Sequence, residues 1–560
     1  MRSATIAPSD RGRPSAIGVA VLLALFTLLL GIAVSLHAQT YSVLYNFGSQ
    51  IGDPYWPHHS GVVAQGRDGN LYSTAIGGGA YTYYGAVFKI TPAGTLTILH
   101  SFDSAHGSYP YGGLTLATDG NFYGTTLQGG SSDVGTIFKI TPSGSYTVLY
   151  NFTNGSDGSG PFAPPIQGTD GSFYGTASLG GTGCGTIYKL TSSGKLTPLY
   201  QFDTTHGCHP WAPLVQGTDG KFYGVTLEGG ANNYGVVFRI TAAGKLAVLY
   251  NFDAAHGANP IGPLIQGSDR SFYGTTAVGG TATSGVVFKV TLKGALTVLH
   301  DMSGTDGIYP YAGLLQATDG NFYGANLGGG TNGFGTIFTI TPQGSYSVLY
   351  NFDSLTGQWP YVTPFQHTKG VVYGDTYAGG TGNVSPCAAG YCGVFYSLNA
   401  GLPAFVTLLP YSGKVGKTIE FLGQGFKGTT SVSFHGTPAN FTVSSGTFLK
   451  ATVPDGATTG LVTVTTSKGK LTSNKKFRVT PVILSFNPTS GPEGTPVVIS
   501  GNSLTQTSKV TFGGVKATTF TVDNDEQVTA TVPQGGKTGK IVITTAGGTA
   551  TSPGVFTVTH

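Results

Sequence analysis

Charge is what this 560-residue chain has least of: Asp, Glu, Lys and Arg together make up 9% of it. Coiled coils and charge-rich disordered tails are excluded at that level. Cysteine is nearly absent too, at four residues and no CxxC pair, which excludes a zinc ribbon and a dense disulfide scaffold. No phosphate loop, nucleophile elbow or zinc-protease signature occurs. One long hydrophobic run exists, residues 16–36, and no second one follows it. It comes after Arg2, Arg11 and Arg13 and leads into His37 and Ala38, the order of a basic region, an apolar region and a small cleavage-site residue. Residues 1–38 are therefore expected to be a signal peptide; at about 21 residues the run is also long enough for an uncleaved signal anchor. Either way the remainder is expected to be exported.

Glycine and aromatic residues are plentiful, at 90 residues and 12% of the chain. That profile belongs to an all-β protein with many tight turns. The formal charge of +4 hides an asymmetry. Residues 41–401 hold 12 basic and 17 acidic side chains, and residues 402–560 hold 13 and 6. The basic residues are dispersed rather than clustered, so no nucleic-acid partner is expected.

The phrase NFYGTTLQGGSSDVGTIFKITPSG, residues 121–144, recurs about every fifty residues. Seven copies align on Tyr72, Tyr123, Tyr174, Tyr223, Tyr273, Tyr323 and Tyr373. Each holds four short runs rich in β-branched and aromatic residues, separated by turn residues. Asp-Gly between the first two runs, as at Asp119, Asp170, Asp219 and Asp319, supplies the positive φ of a tight hairpin. Four antiparallel strands cannot bury both their faces alone, but radial repetition lets each sheet pack on its neighbours. The ends support a closed ring: TYSVLYNF at Thr40 is a lone fourth run, and the seventh copy stops after its third, near Asn399. Residues 39–401 are thus expected to form a seven-bladed β-propeller whose N-terminal strand completes the last blade and removes an open edge.

Through LYSTAIGG, FYGTTLQGG and GTIFKITPSG, residues 41–402 resemble the GloVer tandem-repeat family of exported bacterial proteins. The resemblance implies a secreted or surface-held protein and brings no established activity and no catalytic residues. After residue 402 the period breaks. PVILSFNPTSGPEGTPVVISGNSL, from Pro481, is similar to the start of an IPT/TIG domain, an immunoglobulin-like sandwich; Val532, Pro533 and Gly539 continue the match. The preceding unit keeps Pro410-Tyr411-Ser412-Gly413 but has Lys414-Val415-Gly416-Lys417 where the later one has Pro-Glu-Gly-Thr. Two sandwiches are expected, over residues 402–480 and 481–560. Some intracellular relatives bind DNA; a leader segment and the lack of an arginine cluster point here to a spacer or docking module.

The connection from each fourth strand to the next first strand carries the candidate chemistry. Asp103 and His106, Asp203 and His206, and Asp253 and His256 are spaced for a turn cap or for acid–base work. Asp306 and Thr356 replace the His in later copies, which favours the cap, and no metal site is expected. The residue after the loop proline is Tyr111, Phe162, Trp211, Tyr311 or Tyr361, with Ile261 breaking the set. With Tyr55, Trp56, Tyr109, Tyr309 and Trp359 nearby, these rings either face a channel mouth, suited to stacking on sugars, or wedge between blades as packing. PYWPHHSG in the first copy does not align with the others. Cys184 and Cys208 fall on one face of adjacent blades and are expected to bridge, as are Cys387 and Cys392.

An enzyme needs one copy with added acids or bases. Asp53, His58 and His59 cluster in the first copy, and Glu228 is the one glutamate of the ring. Most other acids recur at equivalent turns. The reading is a non-catalytic binding or adhesion protein without cofactor, its ligand an extracellular polysaccharide or a surface protein. A polysaccharide-degrading glycosidase or lyase and a purely structural scaffold are the alternatives.

Overall fold

The computed structural model describes residues 39–57, 62–385, 387 and 391–559. The leader expected at 1–38, and His58 and His59, lie outside them. The described chain is all β: seven sheets from the repeats, then two sandwiches.

Each repeat sheet runs from a two-residue first strand to an exposed fourth. In the second copy these strands are Thr115–Leu116, Phe122–Thr126, Thr136–Ile140 and Tyr146–Asn151, paired in that order and antiparallel. The middle strands are buried on both faces, so they read as unbroken apolar runs rather than alternating ones. Gly124 sits inside the second strand because a Cβ there would stand 2.5 Å from the Phe138 ring of the third. At the first hairpin turn only the glycine takes left-handed backbone, at φ 84 for Gly120, so the turn is not a two-residue one with both φ values positive. Asp119 instead accepts the Asn121 N–H at 3.0 Å and the Tyr123 hydroxyl at 2.9 Å. Arg270 occupies the same left-handed position in the fifth copy, at φ 71.

Two contacts recur from sheet to sheet. At five junctions the second-strand Tyr stacks on the Phe of the next copy, as Tyr72 on Phe122 and Tyr123 on Phe173, both 4.0 Å between centroids. Close to the axis, a first-strand glutamine accepts the N–H of the preceding copy's turn residue: Gln167 from Thr118 at 2.9 Å, Gln216 from Thr169 at 3.0 Å. Gln65 of the first copy makes the same bond to Thr368 of the last, at 3.0 Å. Val62 bridges both Gly113 and Thr363. The sheets therefore close on themselves as propeller blades. Thr40–Asn46 pairs antiparallel with Val394–Asn399, from Thr40 opposite Asn399 to Asn46 opposite Val394, and supplies the seventh sheet's fourth strand.

Antiparallel order puts the first-to-second and third-to-fourth turns at one end of the ring, the turn face. The second-to-third and fourth-to-first loops make the other, the loop face. The first sandwich, with a core of Val406, Phe421, Phe434, Leu449 and Phe477, sits against the turn face. Arg67 pairs with Glu420 at 2.5 Å, Thr447 donates to the Arg67 carbonyl at 2.7 Å, and Gln424 donates to Thr368 at 3.0 Å. Arg478 reaches the Thr218 carbonyl of the fourth blade, across the axis from the first and seventh. The second sandwich meets the first through Gln506 and Thr459, at 2.8 Å. In both sandwiches the Ser-Gly of the Pro-x-Ser-Gly motif pairs parallel with a late strand, Ser412–Gly413 with Arg478–Val479 and Ser490–Gly491 with Gly548–Val558.

Candidate functional site

The first sandwich covers the turn face near the axis, so the loop face is the open one. Each fourth-to-first loop there is pinned on both sides. Tyr309 N–H donates to the Ser284 carbonyl at 2.8 Å, and its own carbonyl accepts the Leu327 N–H at 3.1 Å. The same pair of bonds holds Trp359 between Phe334 and Tyr377. The next residue is always proline, and the pinned residue is left-handed: φ is 52 at Trp56, 56 at Tyr109, 58 at Tyr309 and 57 at Trp359. Gly160 takes the position in the third blade at φ 58. A bulky side chain in this region costs about 1–2 kcal/mol, which glycine avoids. Four of the loops nonetheless carry an aromatic ring there, and Trp359 and Tyr309 are each 38% exposed.

Trp56 corrects the reading of the first copy. PYWP aligns with the other loops: Trp56 N–H donates to the Cys392 carbonyl at 3.2 Å as Tyr109 does to Tyr84. Its indole N–H donates to the Tyr391 carbonyl at 2.8 Å.

Inside this outer set, the residues after the prolines form a half-buried collar. Tyr111, Phe162 and Trp211 make one arc, 5.4 and 4.7 Å between successive centroids. Tyr311 and Tyr361 make another at 5.7 Å. Ile261, 9% exposed, separates the two arcs. Each ring thus packs on its neighbour and still offers part of its surface to solvent. Tyr377 extends the second arc, 5.7 Å from Tyr361 and 5.9 Å from Trp56. Sequence reasoning missed Tyr377, although the signal was there: the corresponding residues are Ile76, Leu127, Ser178, Leu227, Ala277 and Leu327. Burial, and then the neighbouring phenols of Tyr377 and Tyr109, push the Tyr111 phenol above its ordinary value. It stays a neutral hydrogen-bonding group at any physiological pH.

The Asp–His pairs are turn caps. His106 donates its backbone N–H to Asp103 at 2.9 Å and its ring Nδ1 lies 2.8 Å from the same carboxylate. His206 and His256 repeat the arrangement at 2.8 Å on Asp203 and Asp253. Burial works to raise the Asp103 carboxyl, but the two His106 hydrogen bonds outweigh it and hold it low. Asp53 caps the Ser49 and Gln50 N–H groups, both at 2.9 Å. Glu228 lies 3.9 Å from His209. The four cysteines pair as Cys184–Cys208, with Cα atoms 4.4 Å apart, and Cys387–Cys392, at 5.4 Å. The first bridge ties the second-to-third loop of the third blade to the loop that carries His209, next to the collar.

One acid was overlooked in the sequence. Asp375 is 1% exposed with neither carboxyl oxygen hydrogen-bonded. Four other copies hold a threonine there, whose hydroxyl donates to a carbonyl of the next blade, as Thr125 does to Ala163 at 3.1 Å. Burial raises the Asp375 pKa well above a carboxylate's usual range.

Charge divides between the faces. The ring's twelve lysines and arginines all belong to the turn end. Arg67, Lys221, Arg270 and Lys369 lie in first-to-second turns; Lys195, Lys245 and Lys293 lie in third-to-fourth turns. Lys89, Lys139, Lys189, Arg239 and Lys289 are next to last on third strands, at the turn end. Six of the ring's seventeen acids accompany them in the turns. The other eleven, Asp375 among them, stand on the loop side, with no lysine or arginine beside them.

A family model for the Gloeobacter/Verrucomicrobia repeat matches residues 30–183 and 163–387, and one for the IPT/TIG domain matches 403–479 and 481–558. No curated protein matches the chain. A surface glycan-binding protein of Prevotella bryantii is 17% identical, over 26% of this chain and 38% of its own length, at a TM-score of 0.21. The chain thus spans well under half of that relative. A fungal copper-containing alcohol oxidase of the AA5 family is 14% identical over 79% of this chain and 100% of its own, at 0.41. A surface glycan-binding protein from a Bacteroides uniformis xyloglucan locus is 23% identical over 27% and 48%, at 0.14. By its repeats the chain belongs to the Gloeobacter/Verrucomicrobia repeat family, extended by two IPT/TIG domains.

Proposed function

We propose that this is an exported, non-catalytic binding protein whose loop face takes polysaccharide. The observation that carries the reading is the set of aromatic rings on left-handed backbone, two of them, Tyr309 and Trp359, 38% exposed. Glycine would relieve the strain at every such position, as it does at Gly160. Rings kept there in spite of the cost offer broad apolar faces with polar edges, the surface that stacks on a sugar ring. The collar of Tyr111, Phe162, Trp211, Tyr311 and Tyr361 continues that surface toward the axis. Two disulfides fit an oxidising, extracellular setting, and a leader at residues 1–38 would deliver the chain there. The sandwiches fix the ring by its turn face and leave the aromatic face outward.

A glycan array tests the reading. Binding by the protein, lost in Trp359→Ala and Trp211→Ala while both variants keep their melting temperature within a few degrees, supports it. No binding to any glycan would turn the assignment toward protein adhesion or scaffolding.

A further inference from the structure

The uneven distribution of charge carries the proposed function one step further, to the class of polysaccharide. Resting on that reading, we propose that the loop face selects uncharged polysaccharides and turns away acidic ones, such as polymers of uronic acids or sulfated sugars.

An acidic glycan is held by guanidinium or ammonium groups set against its carboxylates or sulfates. None of the ring's twelve such groups is on the loop face. They are at the far end of the strands, several engaged with turn acids: Lys189 with Asp170 at 2.9 Å and Lys289 with Asp269 at 2.7 Å. The carboxylates of the loop face meanwhile surround the collar from every side. Asp103, Asp203 and Asp253 stand in three of the seven loops, and the hydrogen bonds that cap their turns hold all three pKa values low. They are charged at neutral pH. The field over the rings is therefore set by carboxylates with no lysine or arginine on that face to offset them, and it repels a polyanion before any ring can stack. An uncharged chain meets no such barrier. It finds aromatic faces together with neutral hydrogen-bonding groups such as the Tyr111 phenol.

The same distribution weighs against the lyase alternative. Elimination from a uronate draws a proton from the carbon beside the sugar carboxylate and puts negative charge on that carboxylate, which a nearby cation or hydrogen-bond donors stabilise. The loop face supplies no lysine or arginine for it.

The test is a binding panel on the full chain in 20 mM and 500 mM salt. It pairs uncharged polymers (a β-glucan, a xylan, a mannan) with acidic ones (polygalacturonate, alginate, a sulfated galactan). An uncharged polymer is expected to bind with little salt dependence, and every acidic polymer at least tenfold more weakly at low salt. The difference should narrow at high salt as the screening length falls. Glu228→Lys combined with Ser132→Lys, both outside the collar, should narrow it at low salt as well. Acidic polymers binding at low salt as tightly as uncharged ones would overturn the selectivity and leave polysaccharide binding standing. Binding of acidic polymers alone would also overturn it. Failure of both classes would remove the proposed function itself, and the selectivity with it.

Discussion

The Tyr41 ring lies flat on Tyr350, 3.8 Å between centroids with 8° between planes, although 309 positions separate them. Tyr146 on His100 and Tyr346 on His300 make the same stack at 3.9 Å between fourth strands of neighbouring blades. All three hydroxyls donate to the same kind of loop carbonyl: Tyr41 to Thr356 at 2.6 Å, Tyr146 to His106 and Tyr346 to Asp306, both at 2.8 Å. The first described strand thus packs as an ordinary member of the ring. Tyr41→Ala removes a mostly buried ring and one hydrogen bond, at a cost of about 3 kcal/mol. Thermal unfolding should show a clear fall in midpoint. An unchanged midpoint would mean that the strand is an accessory, not a closure.

Trp359 separates stability from binding. Trp359→Gly removes strain at φ 57 and should leave the protein as stable as before, or stabilise it by up to about 1 kcal/mol. Trp359→Ala keeps the strain. Both should lose affinity for the glycan that the parent binds, by about tenfold or more. A large loss of stability in the glycine variant would show that the ring serves packing instead.

Much of this was legible in the sequence, for physical reasons that differ by element. The blades could be read because seven copies of one strand pattern leave few folds open, and the incomplete ends named their own partner. The Cys184–Cys208 bridge followed from loop positions that the repeat fixed in advance, and Cys387–Cys392 from their closeness within one loop. Trp56 was misjudged because PYWP is followed by residues that break the pattern, while its backbone obeys it. Asp375, at the end of the second strand, and Tyr377, just past it, are single departures from the repeat, and a pattern shared by seven copies masks a change in one of them. The left-handed backbone beneath Tyr109, Tyr309 and Trp359 has no signal in those residues themselves; the signal lies in the equivalent Gly160 and Asn259 of other copies, residue types that favour positive φ. The conformation comes from hydrogen bonds to the blades on either side.

Stability should fall toward both acid and alkali, through different residues. His367 is fully buried, donating from Nε2 to the Gly69 carbonyl at 3.0 Å and accepting the Lys369 N–H on Nδ1 at 3.1 Å. Burial lowers its pKa from 6.5 to about 4. Between those values the unfolded chain takes a proton that the folded one refuses, so stability falls as pH drops through that window, by about 3 kcal/mol in full. Asp375 works in the opposite sense. Its raised pKa makes the folded chain keep a proton that the unfolded one releases, so stability falls as pH rises above the ordinary carboxylate value. Asp375→Thr restores the residue of four other copies and should add about 1–3 kcal/mol at pH 7. Denaturant titrations from pH 4 to 9 check both slopes; a variant with the parent's alkaline slope would clear Asp375 of the role.

Arg67 and Leu116 explain each other. Leu116 replaces the first-strand glutamine, and Arg67 replaces the threonine or serine whose N–H such a glutamine accepts. The latch is therefore absent between the first and second blades. Arg67 turns instead to Glu420 of the first sandwich, with its guanidinium 4.9 Å above the Phe448 ring. Glu420 is only 7% exposed, so Arg67→Thr leaves a nearly buried carboxylate with Lys450, 3.6 Å away, as its remaining partner. That single change should cost about 2 kcal/mol and loosen the sandwich on the ring, visible as a wider distribution of distances in small-angle scattering. Leu116→Gln alone restores only the acceptor for the Arg67 backbone N–H and should gain little, because arginine lacks the hydroxyl to which Gln65 and Gln366 also donate, on Thr368 and Thr318, both at 2.9 Å. Together the two changes rebuild the latch of the other blade junctions, and the double variant should recover about 1 kcal/mol more than the singles add up to. Strict additivity would show that the glutamine ring is decoration, and that stacking such as Tyr72 on Phe122 holds that junction without it.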